Sequence, residues 1–252
     1  MSLRVSIITV SYNSEATIAR TIESVLSQTY NNIEYLIIDG ASSDSTVEIA
    51  SSYKDRFAAR GVVYNIISER DNGIYDAMNK GIRLSQGELI GIINSDDWYN
   101  ENAVAVAVSS YTNKPYDMFY ADINIWEQQK SGEMKLKMVK HSRLRTPVVS
   151  RDWNHPTTFI TSDTYKKIGL YKLESVHDDW DLVLRIRKAG LRISVVNEVL
   201  ANFTIGGVSN AKSLKNCLQR GKARYHIYRA NGYSRLYWFE CVLIEAVKFV
   251  LT

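Results

Sequence analysis

The chain has 252 residues, of which 45% are hydrophobic and 23% charged, a composition typical of a folded globular protein and not of a disordered segment or a fibre. Its length allows one large domain or two small ones. The two cysteines, Cys217 and Cys241, both lie near the C-terminus, which excludes a disulfide framework and favours a reducing, cytoplasmic setting. No N-terminal stretch has the pattern of a secretion signal.

The positive charge is concentrated in the C-terminal segment. The formal net charge is +4, and from Lys212 to the end eight basic residues stand against two acidic ones. A nucleic-acid-binding protein usually carries its basic patch on the main domain, so we expect no nucleic acid partner. A basic segment beside an apolar run is typical of contact with an anionic membrane surface.

Strands and helices alternate through the first part of the chain. Short apolar runs predict the strands, and apolar residues three and four positions apart predict the helices. The predicted elements are a strand over Arg4–Val10, a helix over Glu15–Gln28, a strand over Glu34–Ile38, a helix after Ser45, a strand over Val62–Ser68, a helix carrying Ile74 to Ile82, and a strand over Glu88–Ile93. Ser45 and Glu48 have capping-box spacing, and Gly87 is expected to cap the third helix. This alternation predicts an α/β fold with a mostly parallel sheet flanked by helices.

After Asp97 the periodic pattern weakens. The remaining predicted elements are a helix over Glu101–Tyr111, a strand over Asp117–Ala121, a helix over Trp180–Ala189 and a strand over Leu191–Val196. Residues 124–151 show no dominant period. We therefore predict one α/β domain over residues 1–210 and a basic and apolar helical extension over 211–252.

Polar clusters follow three of the predicted strands, namely Ser11-Tyr12-Asn13, Asp39-Gly40 and Asp96-Asp97. Ligands of parallel sheets bind at the carboxyl ends of strands, so we expect these clusters to meet along one edge. Adjacent carboxylates such as Asp96 and Asp97 suit Mg²⁺ or Mn²⁺ that shares its shell with water and phosphate; a solvated turn is the alternative. Asp39 and Asp71 are ordinary turn residues by default, but in a shared crevice they could accept hydrogen bonds from a ribose or a base.

A second acidic cluster, His177–Asp181, precedes a predicted helix, where carboxylates are favoured by the helix dipole without any function. One of them could instead act as a general base toward a hydroxyl. His155 is a candidate for a substrate-facing loop and Gly206-Gly207-Val208-Ser209 for a flap, with ordinary turns as the alternative. The sequence has no zinc spacing, no glycine-rich dinucleotide or P-loop motif and no nucleophile elbow.

Several ordered motifs resemble family 2 glycosyltransferases with the GT-A fold, over about Val5 to Ser209. They are VSIITVSYNSEATIARTIESVLSQTYNNIEYLIIDGASSDST, ERDNGIYDAMNKGI, GELIGIINSDDWY, HPTTFI, HDDWDLVLRIRKAG and GGVS. The resemblance implies an inverting, metal-dependent transfer of a sugar from a nucleotide donor, with a UDP-sugar expected, to a glycan or lipid-linked acceptor. It also implies a role in cell-surface polysaccharide synthesis, of which lipopolysaccharide is an example.

The resemblance also implies roles for individual residues. It assigns nucleotide binding to Thr9, Tyr12, Asn13, Asp39, Asp71 and Asp96, a Mn²⁺ or Mg²⁺ ion to Asp97 with Asp96, catalysis to Asp179 as base with Asp178, and acceptor binding to His155, Trp180 and Asp181. Two positions depart from the family pattern: Asp178 stands in place of Glu, and Asn94 stands where many members have Asp.

The C-terminal helix predicted over Leu236–Leu251 lies outside the resemblance. It is too short to span a bilayer comfortably, and its pattern predicts an amphipathic helix lying on the inner face of the cell membrane. Docking on the sheet domain or a homodimer interface is the alternative. For the whole chain, the alternatives to an active transferase are a catalytically silent nucleotide-sugar binding or assembly subunit and a sugar nucleotidyltransferase; the chain lacks a glycine-rich, Arg-bearing N-terminal loop to support the latter.

Overall fold

The computed structural model describes residues 2–129, 131–205 and 214–251, except for the side chains of 214, 215 and 248–251. Within these ranges nine strands form one mixed sheet, in the order β3-β2-β1-β4-β8-β6-β9-β5, with β7 paired to β6. The strands are β1 (Val5–Ser11), β2 (Ile33–Asp39), β3 (Val63–Ser68), β4 (Leu89–Asn94), β5 (Trp98–Tyr99), β6 (Met118–Gln128), β7 (Met134–Lys140), β8 (Phe159–Thr161) and β9 (Ile193–Ile205).

Helices cover both faces of this sheet. They are α1 (Ile18–Leu26), α2 (Thr46–Ser51), α3 (Lys54–Ala59), α4 (Ile74–Leu84), α5 (Ala103–Asn113), α6 (Ser162–Ile168), α7 (Asp178–Lys188), α8 (Leu214–Ala230) and α9 (Tyr237–Leu251). One core joins the sheet to α1, α2, α3 and α5, and a second joins it to α4, α6, α7, α8 and α9. Successive residues of β1 alternate between them, Ile7 in the first and Ile8 in the second, which explains why β1 is buried on both faces.

The first half of the sheet is parallel, as predicted. β1 pairs in parallel with β2 and β4, and β2 with β3. The last residue of β1, Ser11, lies opposite Asp39 at the end of β2. The carboxyl ends of these strands therefore share one edge of the sheet.

The second half is mixed, because β8 runs antiparallel to β4 and β6 whereas β6 and β9 are parallel. The strands predicted at Asp117 and Leu191 are both longer than expected and end at Gln128 and Ile205. β7 was not predicted, although Met134, Leu136 and Met138 alternate with lysines in the period-2 pattern of a strand. This short alternation stands in a segment, residues 124–151, that shows no dominant period as a whole.

Two predicted helix signals prove wrong. Ser45 occupies the N-cap position of α2, but its side chain makes no capping hydrogen bond, and the amide of Thr46 is instead bound by Asp44 Oδ1 at 3.0 Å. Gly87 does not cap α4, which ends at Leu84. A Cβ at Gly87 would lie 2.5 Å from the amide nitrogen of Ser6, so the glycine permits close approach to β1.

α8 and α9 form a hairpin that packs against the rest of the protein. Asn231 Nδ2 donates to Asp181 Oδ1 at 2.7 Å, and the amide of Val148 donates to the Tyr237 hydroxyl at 3.0 Å. The domain boundary predicted at residue 210 falls in the segment 206–213, which lies outside the described residues together with the Gly206-Gly207-Val208-Ser209 motif, and it stays a prediction. In the part of the chain that the structure describes, no helix is long and apolar enough to cross a membrane.

Candidate active site

The three polar clusters that follow β1, β2 and β4 meet at one edge of the sheet, as predicted. The amide of Gly40 donates to the carbonyl of Ser11 at 2.9 Å. The hydroxyls of Ser14 and Ser95 are 2.8 Å apart, which joins the loop after β1 to the turn after β4. Residues that are far apart in the sequence thus border one surface.

Asp39 is fully buried and its carboxylate accepts four hydrogen bonds. Oδ1 accepts from the hydroxyls of Ser11 (3.0 Å) and Ser42 (2.5 Å), and Oδ2 accepts from the amide of Ser42 (2.9 Å) and the hydroxyl of Ser68 (2.7 Å). These donors occupy the acceptor positions that a carboxylate usually offers. In this conformation Asp39 joins the loop after β2 to the ends of β1 and β3.

Tyr12, Gly40 and Asp71 lie together beside Asp39. The Tyr12 ring is 66% exposed, and its Cδ2 atom is 3.3 Å from the position that a Cβ of Gly40 would take. Asp71 Oδ2 would lie 2.6 Å from the same Cβ, and Asp71 Oδ1 accepts from the amide of Gly73 at 2.9 Å. An exposed aromatic ring and a carboxylate therefore border the backbone of Gly40.

The loops that carry these residues are locally strained. Asn13 and Ala41 have positive φ angles of 47° and 61°, which non-glycine residues rarely adopt. Asn13 Oδ1 accepts from the amide of Ser43 at 2.9 Å and so ties the two loops together. Thr9 does not reach this surface through its side chain, because it is fully buried in β1 and its hydroxyl accepts from Tyr35 at 3.0 Å.

The Asp96-Asp97 turn is held from two sides. From α1, Arg20 Nη2 donates to the Asp96 carbonyl at 2.8 Å and the Thr21 hydroxyl donates to the Asp97 carbonyl at 2.6 Å. From the end of β9, the Thr204 amide donates to Asp97 Oδ1 at 3.1 Å. These contacts fix the positions of two adjacent carboxylates.

The carboxylates of this turn have raised pKa values. Burial raises the pKa of Asp97 well above its ordinary value and the neighbouring charge of Asp96 adds to the effect, while the Thr204 amide and Arg20 partly oppose it. Burial also raises the pKa of the half-buried Asp96. A nearby cation stabilises the ionised form of a buried carboxyl group of this kind.

The oxygen atoms of the turn fit a hard divalent cation that has further ligands from outside the protein. Two of them, Asn94 Oδ1 and Asp97 Oδ2, are buried without a hydrogen-bond partner among the described residues. No group of three or more His, Cys, Asp or Glu side chains in the described ranges could hold a metal by itself. Mg²⁺ and Mn²⁺ commonly complete such a partial set with water and substrate phosphate.

Asp179 lies in the first turn of α7, where two polar side chains come close to it. The charge of Asp179 adds to the effect of burial in raising the pKa of Tyr75, and it partly opposes the burial that lowers the pKa of His155. The Tyr75 hydroxyl donates to the Val176 carbonyl at 3.1 Å. Because Tyr75 stands at the start of α4, just after Asp71, it connects the strand-end surface to Asp179.

Tyr75 was missed by the sequence reasoning. It lies inside the ERDNGIYDAMNKGI motif, where Ile74, Ala77 and Met78 were assigned to a helical stripe and Tyr75 was given no role. Its ring stacks on Tyr171 with centroids 5.4 Å apart. The available signal was its position two residues after the Asp71-Asn72-Gly73 turn, which adjoins the predicted crevice.

The neighbours of Asp179 on α7 point into the protein. Asp178 is buried, and its Oδ2 accepts from the amides of Glu174 (2.9 Å) and Ser175 (3.1 Å). Trp180 is buried with its ring 5.9 Å from Trp153 and 6.0 Å from Tyr228. The catalytic role of Asp178 and the acceptor role of Trp180 stay predictions.

Asp181 anchors α7 to its surroundings. Its Oδ1 accepts from Asn231 (2.7 Å) and Lys172 (3.2 Å), and its Oδ2 accepts from Arg185 (2.8 Å). Burial alone would raise the pKa of Asp181, but these hydrogen bonds lower it below its ordinary value. All the donors are side chains of the protein, so a contact of Asp181 with an acceptor stays a prediction.

Two concave regions adjoin the acidic clusters. A groove of about 700 Å³ is lined by residues that include Arg20, Trp98 and Tyr99, and it borders the Asp96-Asp97 turn. A pocket of about 380 Å³ lies between α7 and α8 and is lined by residues that include Asp178 and Lys222. Neither region is lined by Tyr12, Asp71 or Asp179.

Residues 6–171 match the family described as glycosyl transferase family 2, which is more than half of the chain. The chain belongs to this family of glycosyltransferases. A PGL/p-HBAD biosynthesis glycosyltransferase of Mycobacterium tuberculosis is 27% identical over 222 residues, covering 85% of this chain and 82% of the relative. An uncharacterized glycosyltransferase of the same species is 31% identical over 213 residues, covering 82% and 77%.

Solved structures show the same GT-A fold. The TarS fragment of S. aureus in complex with UDP-GlcNAc has a TM-score of 0.68 at 16% identity, covering 98% of this glycosyltransferase and 72% of that chain. The mannosyltransferase PcManGT from Pyrobaculum calidifontis, in complex with GDP-Man and Mn²⁺, has a TM-score of 0.68 at 15% identity, covering 100% and 71%. These likenesses establish the fold of the catalytic domain.

Proposed function

We propose that this glycosyltransferase moves a sugar from a UDP-sugar to a glycan or lipid-linked acceptor with inversion at the anomeric carbon. The observation that carries the proposal is the edge of the sheet where Tyr12, Asp71 and the Asp96-Asp97 turn meet and from which Tyr75 leads to Asp179. One structural neighbour was solved with UDP-GlcNAc, which supports a uridine nucleotide.

In this proposal the nucleotide lies over Gly40. The exposed Tyr12 ring offers a face for stacking of the base, and Asp71 can accept a hydrogen bond from the ribose or the base. Asn13 and Asp39 shape the loops, and Asp39 contacts the nucleotide only if one of its serine donors moves away. Thr9 contributes to the nucleotide site only indirectly, because its buried side chain supports β1.

We infer that Asp97 and Asp96, with the side-chain oxygen Oδ1 of Asn94, hold Mn²⁺ or Mg²⁺ together with the diphosphate. The partnerless oxygens of the turn support this set of ligands. When bound, such an ion neutralises the charge that develops on the departing nucleoside diphosphate. Arg20 and Thr204 keep the turn in place.

The proposed base is Asp179. Its Oδ1 accepts from the amide of Trp180 at 2.7 Å, which orients the carboxylate. The carboxylate takes the proton of an acceptor hydroxyl as the hydroxyl oxygen bonds to the anomeric carbon and the bond from that carbon to the diphosphate breaks. A single displacement of this kind inverts the anomeric centre. Because burial lowers the pKa of His155, its imidazole is neutral at pH 7 and can hydrogen-bond the acceptor.

We infer that the acceptor belongs to cell-surface polysaccharide synthesis, such as that of lipopolysaccharide, and that the enzyme works at the cytoplasmic face of the membrane. The basic and apolar hairpin of α8 and α9 supports a membrane location.

The test combines donor binding with transfer. A panel of UDP- and GDP-sugars is added with and without Mn²⁺, and the melting temperature is measured, because a ligand that binds only the folded state raises it. We expect a Mn²⁺-dependent shift with a UDP-sugar, and sugar transfer or donor hydrolysis by the wild type. Asp179→Asn should lower the rate by about 10²–10⁴-fold and keep the donor shift.

Asp163→Asn is the matched control, because Asp163 is an exposed carboxylate of α6 that pairs only with Lys166 among the described residues. Absence of a shift with every nucleotide would contradict the proposal, as would full activity of Asp179→Asn. A donor shift without any turnover by the wild type would favour the silent binding subunit. Release of pyrophosphate would favour a sugar nucleotidyltransferase.

A further inference from the structure

Helix α9 turns its acidic residues toward the protein. Glu240 Oε1 accepts from the amide and the hydroxyl of Ser150 at 3.3 and 3.2 Å. Glu245 is buried and forms ion pairs with Arg220 and Arg224 at 3.1 and 3.0 Å. Within the described residues, Glu245 is thus neutralised by two arginines, and Glu240 is held by hydrogen bonds from the protein.

The opposite side of α9 is exposed and apolar. Leu236, just before the helix, and Phe239 are each 70% exposed, and Leu243 is 64% exposed; Trp238 and Val242 are exposed beside them. Spacings of three and four residues place these side chains on one side of a helix. We call them the outer face of α9. Contiguous apolar surfaces formed by several large side chains are normally buried, so the outer face of α9 indicates a surface that binds a protein or a membrane.

A cationic stripe lies on the neighbouring helix. Lys222 and Arg229 are exposed seven residues apart, and therefore on one side of α8, whose sequence contains no acidic residue. Tyr225, between them, makes an edge contact with Trp238 of the outer face, with ring centroids 5.4 Å apart. The apolar face and the cationic stripe therefore adjoin.

We propose that the outer face of α9 and the cationic stripe of α8 dock on the surface of an anionic lipid bilayer. Helix α9 has 15 residues, so it is about 22 Å long and lies in the interface without crossing the apolar layer of about 30 Å. This inference rests on the proposed function only in one respect: docking would give the transferase access to a lipid-linked acceptor. Docking itself needs neither donor nor acceptor.

Charge favours a bilayer over a second copy of this chain. In a symmetric dimer built on the outer face, the same surface meets itself, which brings the cationic stripes of the two copies toward each other. Anionic lipids attract the same stripe. Glu240 and Glu245, which could have paired with the stripe of a second copy, are turned inward.

The experiment is flotation of the full chain with vesicles of phosphatidylcholine alone or with added phosphatidylglycerol, at low and high salt. We expect binding to the anionic vesicles that weakens with salt. The double variant Phe239→Ser and Leu243→Ser should bind about tenfold more weakly or worse, because two apolar side chains no longer enter the lipid. Lys222→Gln and Arg229→Gln should each weaken binding about fivefold.

Leu84→Ser and Lys167→Gln are matched controls, because these exposed residues lie on α4 and α6. All variants should keep the melting temperature of the wild type, which excludes unfolding as the cause. Absence of binding of the wild type to anionic vesicles overturns the proposal. The proposal is also overturned if light scattering gives the mass of a dimer for the wild type and the mass of a monomer for the double variant.

The nucleotide melting shift, measured without vesicles, separates this proposal from the proposed function. If vesicle binding fails while the shift and transfer to a soluble acceptor persist, only the docking surface is overturned. If vesicle binding follows the expected pattern while no nucleotide shifts the melting temperature, the docking surface stands and the proposed function fails.

Discussion

Gly40 sets the separation between the Tyr12 ring and the Asp71 carboxylate. A Cβ at this position would lie 2.6 Å from Asp71 Oδ2, so we expect Gly40→Ala to displace Asp71. The dissociation constant of the donor nucleotide should rise about tenfold, equivalent to about 1.4 kcal/mol of binding free energy. Isothermal titration calorimetry with the donor in Mn²⁺ measures this change.

Gly221→Ala is the control for that substitution. A Cβ at Gly221 would lie 3.5 Å from Glu245 Cγ, an ordinary contact, and alanine favours the helix by up to about 1 kcal/mol. Donor affinity should be unchanged and the melting temperature slightly raised. Equal donor affinity in Gly40→Ala and wild type would show that Asp71 does not bind the nucleotide.

We expect Asp97 to destabilise the folded protein when no cation is bound. Burial and the charge of Asp96 raise its pKa well above the ordinary value, so the ionised form at pH 7 is unfavourable. Asp97→Asn keeps an oxygen for the Thr204 amide and should raise the melting temperature in EDTA by about 2–4 °C. Mn²⁺ and donor together should raise the melting temperature of the wild type further, and this additional rise should be absent in Asp97→Asn. Differential scanning fluorimetry with and without EDTA measures both effects, and a lower melting temperature in EDTA would contradict this account.

At the site, the sequence was sufficient to predict which residues lie at the shared edge. Tyr12, Asp39, Asp71 and the Asp96-Asp97 turn follow or adjoin strand ends, and strand ends meet by the rules of parallel sheets. The hydrogen bond from Ser42 to Asp39 was not predictable, because Ser42 lies in the loop after β2, where Ala41 has a positive φ angle that its residue type does not signal. Ser68 lies opposite Asp39 in the register of β2 and β3, and that register depends on the pairing of two strands.

At the level of elements, α8 supports the helix that carries the proposed base. Asn231→Ala removes the hydrogen bond to Asp181 Oδ1, and we expect the free energy of unfolding to fall by about 1–3 kcal/mol. If the bond positions α7, kcat should also fall about tenfold while donor affinity stays the same, since the donor residues lie on other elements. Steady-state kinetics and urea unfolding measure these effects.

Asn113→Ala, at the exposed end of α5, is the control for Asn231→Ala and should change neither quantity. A loss of stability in Asn231→Ala with an unchanged kcat would restrict Asn231 to a structural role. A parallel loss of donor affinity would indicate a disturbance that extends beyond α7.

Elements were predictable where burial imposes a pattern. β1, β2 and β4 are apolar on both faces, and their predicted bounds agree with the structure within one residue at each end. β6 and β9 extend into polar sequence because they pair with each other, which is a property of two distant segments. The inward positions of Trp180 and Asp181 depend on α8, which the sequence placed in a separate extension.

At the scale of the whole molecule, the carboxylate of Asp181 makes the stability of the fold depend on pH. Hydrogen bonds from Asn231, Arg185 and Lys172 outweigh the effect of burial and lower the pKa of Asp181. A carboxyl group with a lower pKa in the folded chain stabilises the fold above its unfolded pKa, and this contribution is lost as the pH falls through the folded value. The stability advantage of the wild type over Asp181→Asn should therefore be present at pH 7 and shrink below about pH 4. Urea unfolding at both pH values measures this difference, and an advantage that is constant with pH would contradict the assignment.

Both cysteines of the chain lie on the α8–α9 hairpin. Cys217 and Cys241 are buried on α8 and α9, and burial raises the pKa of Cys241 to about 12. Thiolates attack alkylating reagents, so both buried residues are shielded as long as the two helices stay folded on the core. The rate of alkylation followed by mass spectrometry therefore reports how often this part of the enzyme opens, without any engineered label.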